Sequence, residues 1–168
     1  KFYSTCSPGT ARKAITVGAV YKKDYVGIDY INNNWGDKDP MQSQVASFSS
    51  GGPVEWAGGK LIKPDLVAPG AVICAARWDS FFPGGEVHPI YQPCVDQIHV
   101  YNAGTSMAAP HVAGAVALLK QAYPELTPSE IKSRLQTTAI DSGGHIYRQG
   151  AGLVNILAAI NFGKYKCA

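Results

Sequence analysis

The sequence predicts an α/β fold in which a mostly parallel sheet is covered by helices. Three observations point there. Residues 14–20, Ala-Ile-Thr-Val-Gly-Ala-Val, form a nearly continuous apolar run. Such a run suits a strand buried on both faces, as parallel strands under helices are. The segment from about Thr105 to Ala122 is helical in pattern and apolar nearly all round until Lys120, so it is expected buried at the domain centre. The 168 residues, with 18 Gly and 11 Pro, suit one compact, turn-rich domain.

The elements follow in order. Cys6-Ser7-Pro8-Gly9 reads as a turn, and the strand at 14–20 follows it, with Gly18 marking a close backbone approach. Residues 21–44 are rich in Tyr, Asn and Asp and read as an exposed loop. Asp24, Asp29, Asp37 and Asp39 could offer oxygen ligands to calcium, but they match no EF-hand spacing, and a solvated loop is expected. Residues 45–48 read as a short strand closed by Ser49-Ser50-Gly51-Gly52-Pro53. Pro64 and Pro69 flank a short apolar run that is therefore no ordinary central strand. Residues 72–76 and 98–101 read as strands, separated by an aromatic loop over 77–97. After the central helix, Thr127-Pro128-Ser129-Glu130 is a capping box with proline at the first helical position. A last helix is expected over 154–160, with Gly163 as its stop signal.

Composition narrows the class. Charged residues are 16%, the net charge is +3 and the basic residues are scattered, which leaves no nucleic-acid footprint. No apolar run is long enough to span a bilayer. Cys6, Cys74, Cys94 and Cys167 form no CxxC pair, which argues against a zinc knuckle. Four cysteines allow three pairings. Cys74 with Cys94, closing a loop, and Cys6 with Cys167, tying the ends, are preferred, with four buried thiols as the alternative. An even count favours disulfides in an oxidising, extracellular compartment. No metal site and no firm cofactor emerge; calcium stays open.

The chemistry concentrates in Gly104-Thr105-Ser106-Met107-Ala108-Ala109-Pro110-His111-Val112-Ala113-Gly114. Ser106 falls where strand becomes helix. Its backbone N–H is unsatisfied there, and the helix dipole favours negative charge nearby. The plainer alternative is that Thr105 or Ser106 caps the helix. A G-x-S-x-G elbow would need Gly at 108, where Ala108 stands, and a Ser-x-x-Lys pair would need Lys at 109, where Ala109 stands. The whole stretch instead resembles the nucleophile segment of the subtilisin-like serine proteases, the subtilases. Residues 14–20, 45–53, 63–70, 127–138 and 150–155 resemble further segments of that family, in its order.

The resemblance implies a three-layer subtilisin-like fold and a secreted endopeptidase acting on proteins or peptides. It makes Ser106 the nucleophile, with the Ser106 N–H as one oxyanion-hole donor. Cys6, Ser7, Pro8 and Gly9 become the candidate rim of the substrate pocket. The family's aspartate, histidine and oxyanion asparagine should all precede Ser106, and their motifs do not. Asp141-Ser142-Gly143 carries the aspartate letters but follows Ser106, so a chance turn is expected there. His88, His99 and His145 stand in no supporting motif. His111 sits about 140° around the helix and roughly 7.5 Å along it from Ser106, and is expected to be structural. Residues 1–168 are thus expected to be the C-terminal portion of a catalytic domain. An N-terminal chain or segment bearing Asp, His and Asn would complete it. The rival expectations are a catalytically silent structural subunit and an inactive fragment.

Overall fold

The computed structural model describes residues 2–21, 45–56, 58–76, 95, 96 and 98–163. The loop aspartates 24, 29, 37 and 39, most of the 77–97 loop, His88, Cys94 and Cys167 lie outside the described residues. Six strands and four helices are described: β1 Val17–Tyr21, β2 Val54–Trp56, β3 Gly59–Leu61, β4 Leu66–Ala71, β5 Ile73–Ala76, β6 His99–Asn102, α1 Thr105–Ala122, α2 Pro128–Thr137, α3 Ile146–Gln149 and α4 Ile156–Asn161.

The fold is α/β. β1 and β4 pair in parallel, with Val17 opposite Leu66 and Ala19 opposite Ala68. Val67 on β4 also bridges Leu153, and Leu153 bridges Ile140. β4 is therefore flanked on both sides and buried along nearly its whole length. It does contain Pro69, whose missing N–H is tolerated because the β1–β4 register slips beside it, between Val20 and Tyr21. The segment over 63–70 thus leads into a buried strand with a local irregularity. Gly18 is a true close approach: a Cβ there would stand 2.9 Å from the Val67 side chain and 3.0 Å from the Ser49 hydroxyl.

Two strand expectations change. Residues 45–48 make only an isolated antiparallel bridge, Val45 to Val20, before turning. Ser49 explains the turn: its N–H donates to the Ala46 carbonyl, and its hydroxyl accepts the Ala19 N–H at 3.0 Å. β6 joins β5 as an antiparallel pair, with Cys74 opposite Tyr101, so it does not lengthen the parallel ladder.

Helix α1 packs on β1 and β4 through Ala108, Val112, Ala115 and Leu119, spaced 4, 3 and 4 along one stripe. The opposite side is open. Ala109, Pro110, Ala113, Gly114, Ala117 and Leu118 are exposed, and nothing described lies within 4 Å of where a Gly114 Cβ would stand. The all-round burial expected for this helix is met on one face only, because no described residue covers the other.

The capping box at α2 forms in full. Glu130 N–H meets the Thr127 hydroxyl, and the Glu130 carboxylate accepts the Thr127 N–H at 2.8 Å. Ile131 and Leu135, four apart, join the core. Asn155 caps α4, with Gly163 in the left-handed region just past it. Cys6 carries a free, exposed thiol, so the expected bond to Cys167 is absent. Its turn lies at the surface, and no sulfur among the described residues meets it.

Candidate active site

Strand β6 delivers the chain to Ala103 and Gly104, and α1 begins at Thr105. Gly104 is the N-cap residue. Its carbonyl accepts from the Met107 N–H at 3.0 Å and the Ala108 N–H at 3.4 Å. Ser106 follows on the first turn with its side chain exposed.

This helix start is electrostatically bare. It has no side-chain cap and no acidic residue in its first turn. Neither Thr105 nor Ser106 acts as the cap. Among the described residues, no acceptor meets the Ser106 N–H. The positive end of an 18-residue helix is therefore left open beside a serine hydroxyl. Pro110, which has no N–H, leaves the Ser106 carbonyl without the donor it would meet four residues on.

The turn is fixed from below. Gly104 N–H donates to the Gly70 carbonyl at 2.7 Å, tying the helix start to β4. Gly70 itself lies against Ala19, Gly104 and Ala108, where a side chain would collide. Strand, glycine contact and helix together hold Ser106 at the protein surface.

None of the described histidines reaches it. His111 uses Nδ1 to meet the Met107 carbonyl at 2.8 Å, the structural role expected of it. His99 pairs with Asp96, a bond that holds the Asp96 carboxyl below its ordinary value. His145 caps α3, accepting the Tyr147 N–H, and packs edge-on against Phe2. Asp141-Ser142-Gly143 is a turn: Asp141 accepts the Gly143 N–H at 2.9 Å, and Gly143 has a positive φ. No group of three His, Cys, Asp or Glu side chains converges as a metal site among the described residues.

The candidate pocket rim is a separate surface turn. Cys6, Ser7 and Pro8 are exposed, Gly9 is half-buried, and no hydrogen bond among the described residues links them to Ser106.

The model of the subtilase family matches residues 1–153. The chain belongs to the subtilase family. The minor extracellular protease Vpr of Bacillus subtilis is 42% identical over 130 residues, covering 71% of this chain and 14% of Vpr. Serine protease AprX of the same organism is 38% identical over 153 residues, covering 89% of this chain and 30% of AprX. Fervidolysin from Fervidobacterium pennivorans, described as a keratinolytic enzyme related to subtilisin, superposes with a TM-score of 0.62 at 29% identity. That match covers 92% of this chain and 20% of fervidolysin. The Clostridium perfringens CspB protease superposes with a TM-score of 0.61 at 26% identity, over 98% of this chain and 30% of CspB. This subtilase chain therefore spans well under half the length of these relatives.

Thr16, Lys63, Asp65 and Lys132 lie in segments that resemble the family, but their meeting was not foreseen: they form one polar cluster, with Lys63 and Asp65 buried and Thr16 and Lys132 half-buried. A signal for part of it exists: Lys63 and Asp65 are two apart beside an extended apolar run, a spacing that puts side chains on one face.

Proposed function

We propose that this subtilase chain carries the nucleophile of a serine endopeptidase, and that Ser106 is that nucleophile. The observation that carries the reading is the bare start of α1: an exposed serine, an uncapped helix and an N–H with no acceptor. Ser106 Oγ would attack the substrate carbonyl. The oxygen of that carbonyl would gain negative charge at the Ser106 N–H and the positive helix end. The C–N bond then breaks as the amine leaves with the proton given up by Ser106, and water hydrolyses the acyl-enzyme, releasing the acid and restoring the hydroxyl.

A general base, its orienting carboxylate and a second oxyanion donor are needed. We assign them to an N-terminal chain or segment that supplies Asp, His and Asn. The open face of α1 supports this, because Ala109, Ala113, Gly114 and Ala117 are small enough for another backbone to pack closely there. Leu118, 47% exposed, gives that contact an apolar edge. Protein or peptide substrates follow from the family.

Secretion is the compartment we assign. The extracellular description of Vpr supports it, and the Cys74–Cys94 disulfide that we favour would suit such a compartment.

A fluorophosphonate probe tests the reading. Applied to this chain together with its N-terminal part, it should leave its adduct on the peptide containing Ser106. No adduct with both parts present and folded would overturn it and leave a silent structural subunit.

A further inference from the structure

The segment over residues 6–14 includes the proposed pocket rim, and little apolar contact holds it. Cys6, Ser7 and Pro8 are exposed, as are Ala11, Arg12, Lys13 and Ala14. Within it, the Ala11 N–H meets the Pro8 carbonyl, a purely local turn. Arg12 lies over the exposed Trp56 ring at 4.3 Å.

The remaining fastening is a set of hydrogen bonds to the segment's backbone carbonyls, donated by two lysines and a threonine. Lys63 has a fully buried side chain, and its three protons have three acceptors: Asp65 Oδ2 at 2.8 Å, Thr16 Oγ1 at 3.0 Å and the Ala14 carbonyl at 3.3 Å. Lys132, reaching in from α2, meets Asp65 Oδ1 at 2.7 Å, the Ala14 carbonyl at 2.9 Å and the Arg12 carbonyl at 3.0 Å. Asp65 also accepts the Thr16 N–H at 2.7 Å. With Lys63 donating to its oxygen, the Thr16 hydroxyl is left to donate to the Gly9 carbonyl at 2.6 Å. A directed chain thus runs from Lys63 through Thr16 to Gly9, the last residue of the rim.

Burying a lysine costs free energy that an apolar side chain would not, so stability alone does not explain it. The geometry it fixes does. We propose that Lys63, acting through the Thr16 hydroxyl, is a positioning residue that sets the Cys6–Gly9 turn and with it the selectivity for the residue before the scissile bond. The proposal rests on that turn lining the substrate pocket of the endopeptidase assigned above.

The test uses the protein with its N-terminal part present and peptides that differ only in the residue before the cut. Thr16→Val keeps the shape and removes the hydroxyl. It should raise KM by about tenfold, the scale of one charge-assisted hydrogen bond, and unequally across the peptide series. The rate of labelling by a small fluorophosphonate should stay within about twofold, since that probe leaves the pocket unfilled. Thr16→Ser should restore the parent selectivity. An equal fall in kcat for all peptides, or no change in KM ratios, would overturn the proposal.

A second measurement needs no activity. In the Ser106→Ala background, Lys63→Met should speed amide exchange in residues 9–14 about tenfold while leaving α2 unchanged. Uniform loosening of the whole domain, or failure of both variants to fold, would show the cluster to be scaffold and sink the proposal. Absence of labelling in the parent protein, with the exchange result intact, would instead sink the endopeptidase reading.

Discussion

Gly70 and Gly104 are joined backbone to backbone, with the Gly104 N–H donating to the Gly70 carbonyl at 2.7 Å. This single bond connects the buried strand β4 to the residue that opens α1. A Cβ at position 70 would stand 2.6 Å from the Ala19 Cβ and 2.8 Å from the Gly104 carbonyl oxygen. Neither neighbour is a flexible side-chain tip, so the turn itself would have to move. Gly70→Ala is expected to cost about 1–3 kcal/mol of stability and to slow fluorophosphonate labelling of Ser106. Chemical denaturation and labelling kinetics check it together; normal labelling would mean that the bond does not place the serine.

Ser106→Ala separates nucleophile from cap. The side chain is exposed and caps nothing, the cap being Gly104, and inside the helix alanine has the higher propensity. Stability should change by no more than about 0.5 kcal/mol while labelling disappears. A large fall in melting temperature would show that the hydroxyl has a structural partner.

With Gly152, Gly150 is one of two tightly constrained glycines in the closing segment. Its φ is 61°, and a Cβ would run into the Pro64 carbonyl and stand 2.5 Å from the Asp65 carbonyl oxygen. Those carbonyls belong to the chain entering β4. Gly150→Ala should therefore cost about 3 kcal/mol or more, combining a collision with backbone and a left-handed φ. Soluble yield and urea midpoint provide the measurement, with Gly163→Ala as the comparison. Gly163 also has a positive φ but open space where a Cβ would stand, so its loss should be smaller.

Glu130 gives the pH dependence a named source. The Thr127 hydroxyl and N–H hold its carboxyl below the ordinary value of 4.5. The folded chain then binds this proton less readily than the unfolded chain. The stabilisation is complete above the unfolded value and is lost as pH falls through the folded one. Glu130→Gln keeps a capping partner without the titration. Its stability should fall less than the parent's on acidification, and the two curves should converge at low pH. Urea melts between about pH 3 and pH 7 read this directly; parallel curves would remove Glu130 from the acid response.

The local signals were strong enough to read. The capping box at Thr127, the glycine turn at Gly143 and the run into β1 each depend on neighbours within a few residues. The α1 stretch was legible for a related reason: small residues, glycine and serine sit there in one fixed order. Strand pairing was less legible. Residues 45–48 look like a strand, yet the Ser49 hydroxyl takes the Ala19 N–H and turns the chain away. β6 looks like a member of the parallel set, yet its partner is β5.

By itself, the sequence determined the family, the α/β class and the position of Ser106 at a helix start. Those depend on periodicity and on an ordered string of residues. Tertiary structure decided that the helix start is bare, that one face of α1 is open and that Lys63 is buried. Each of these is a statement about which distant groups arrive beside a residue. In the sequence Lys63 is one more lysine before a proline; in the fold Thr16, Asp65 and Ala14 close around its three protons. No spacing along the chain states that meeting; only the packing of β1, β4 and α2 brings it about.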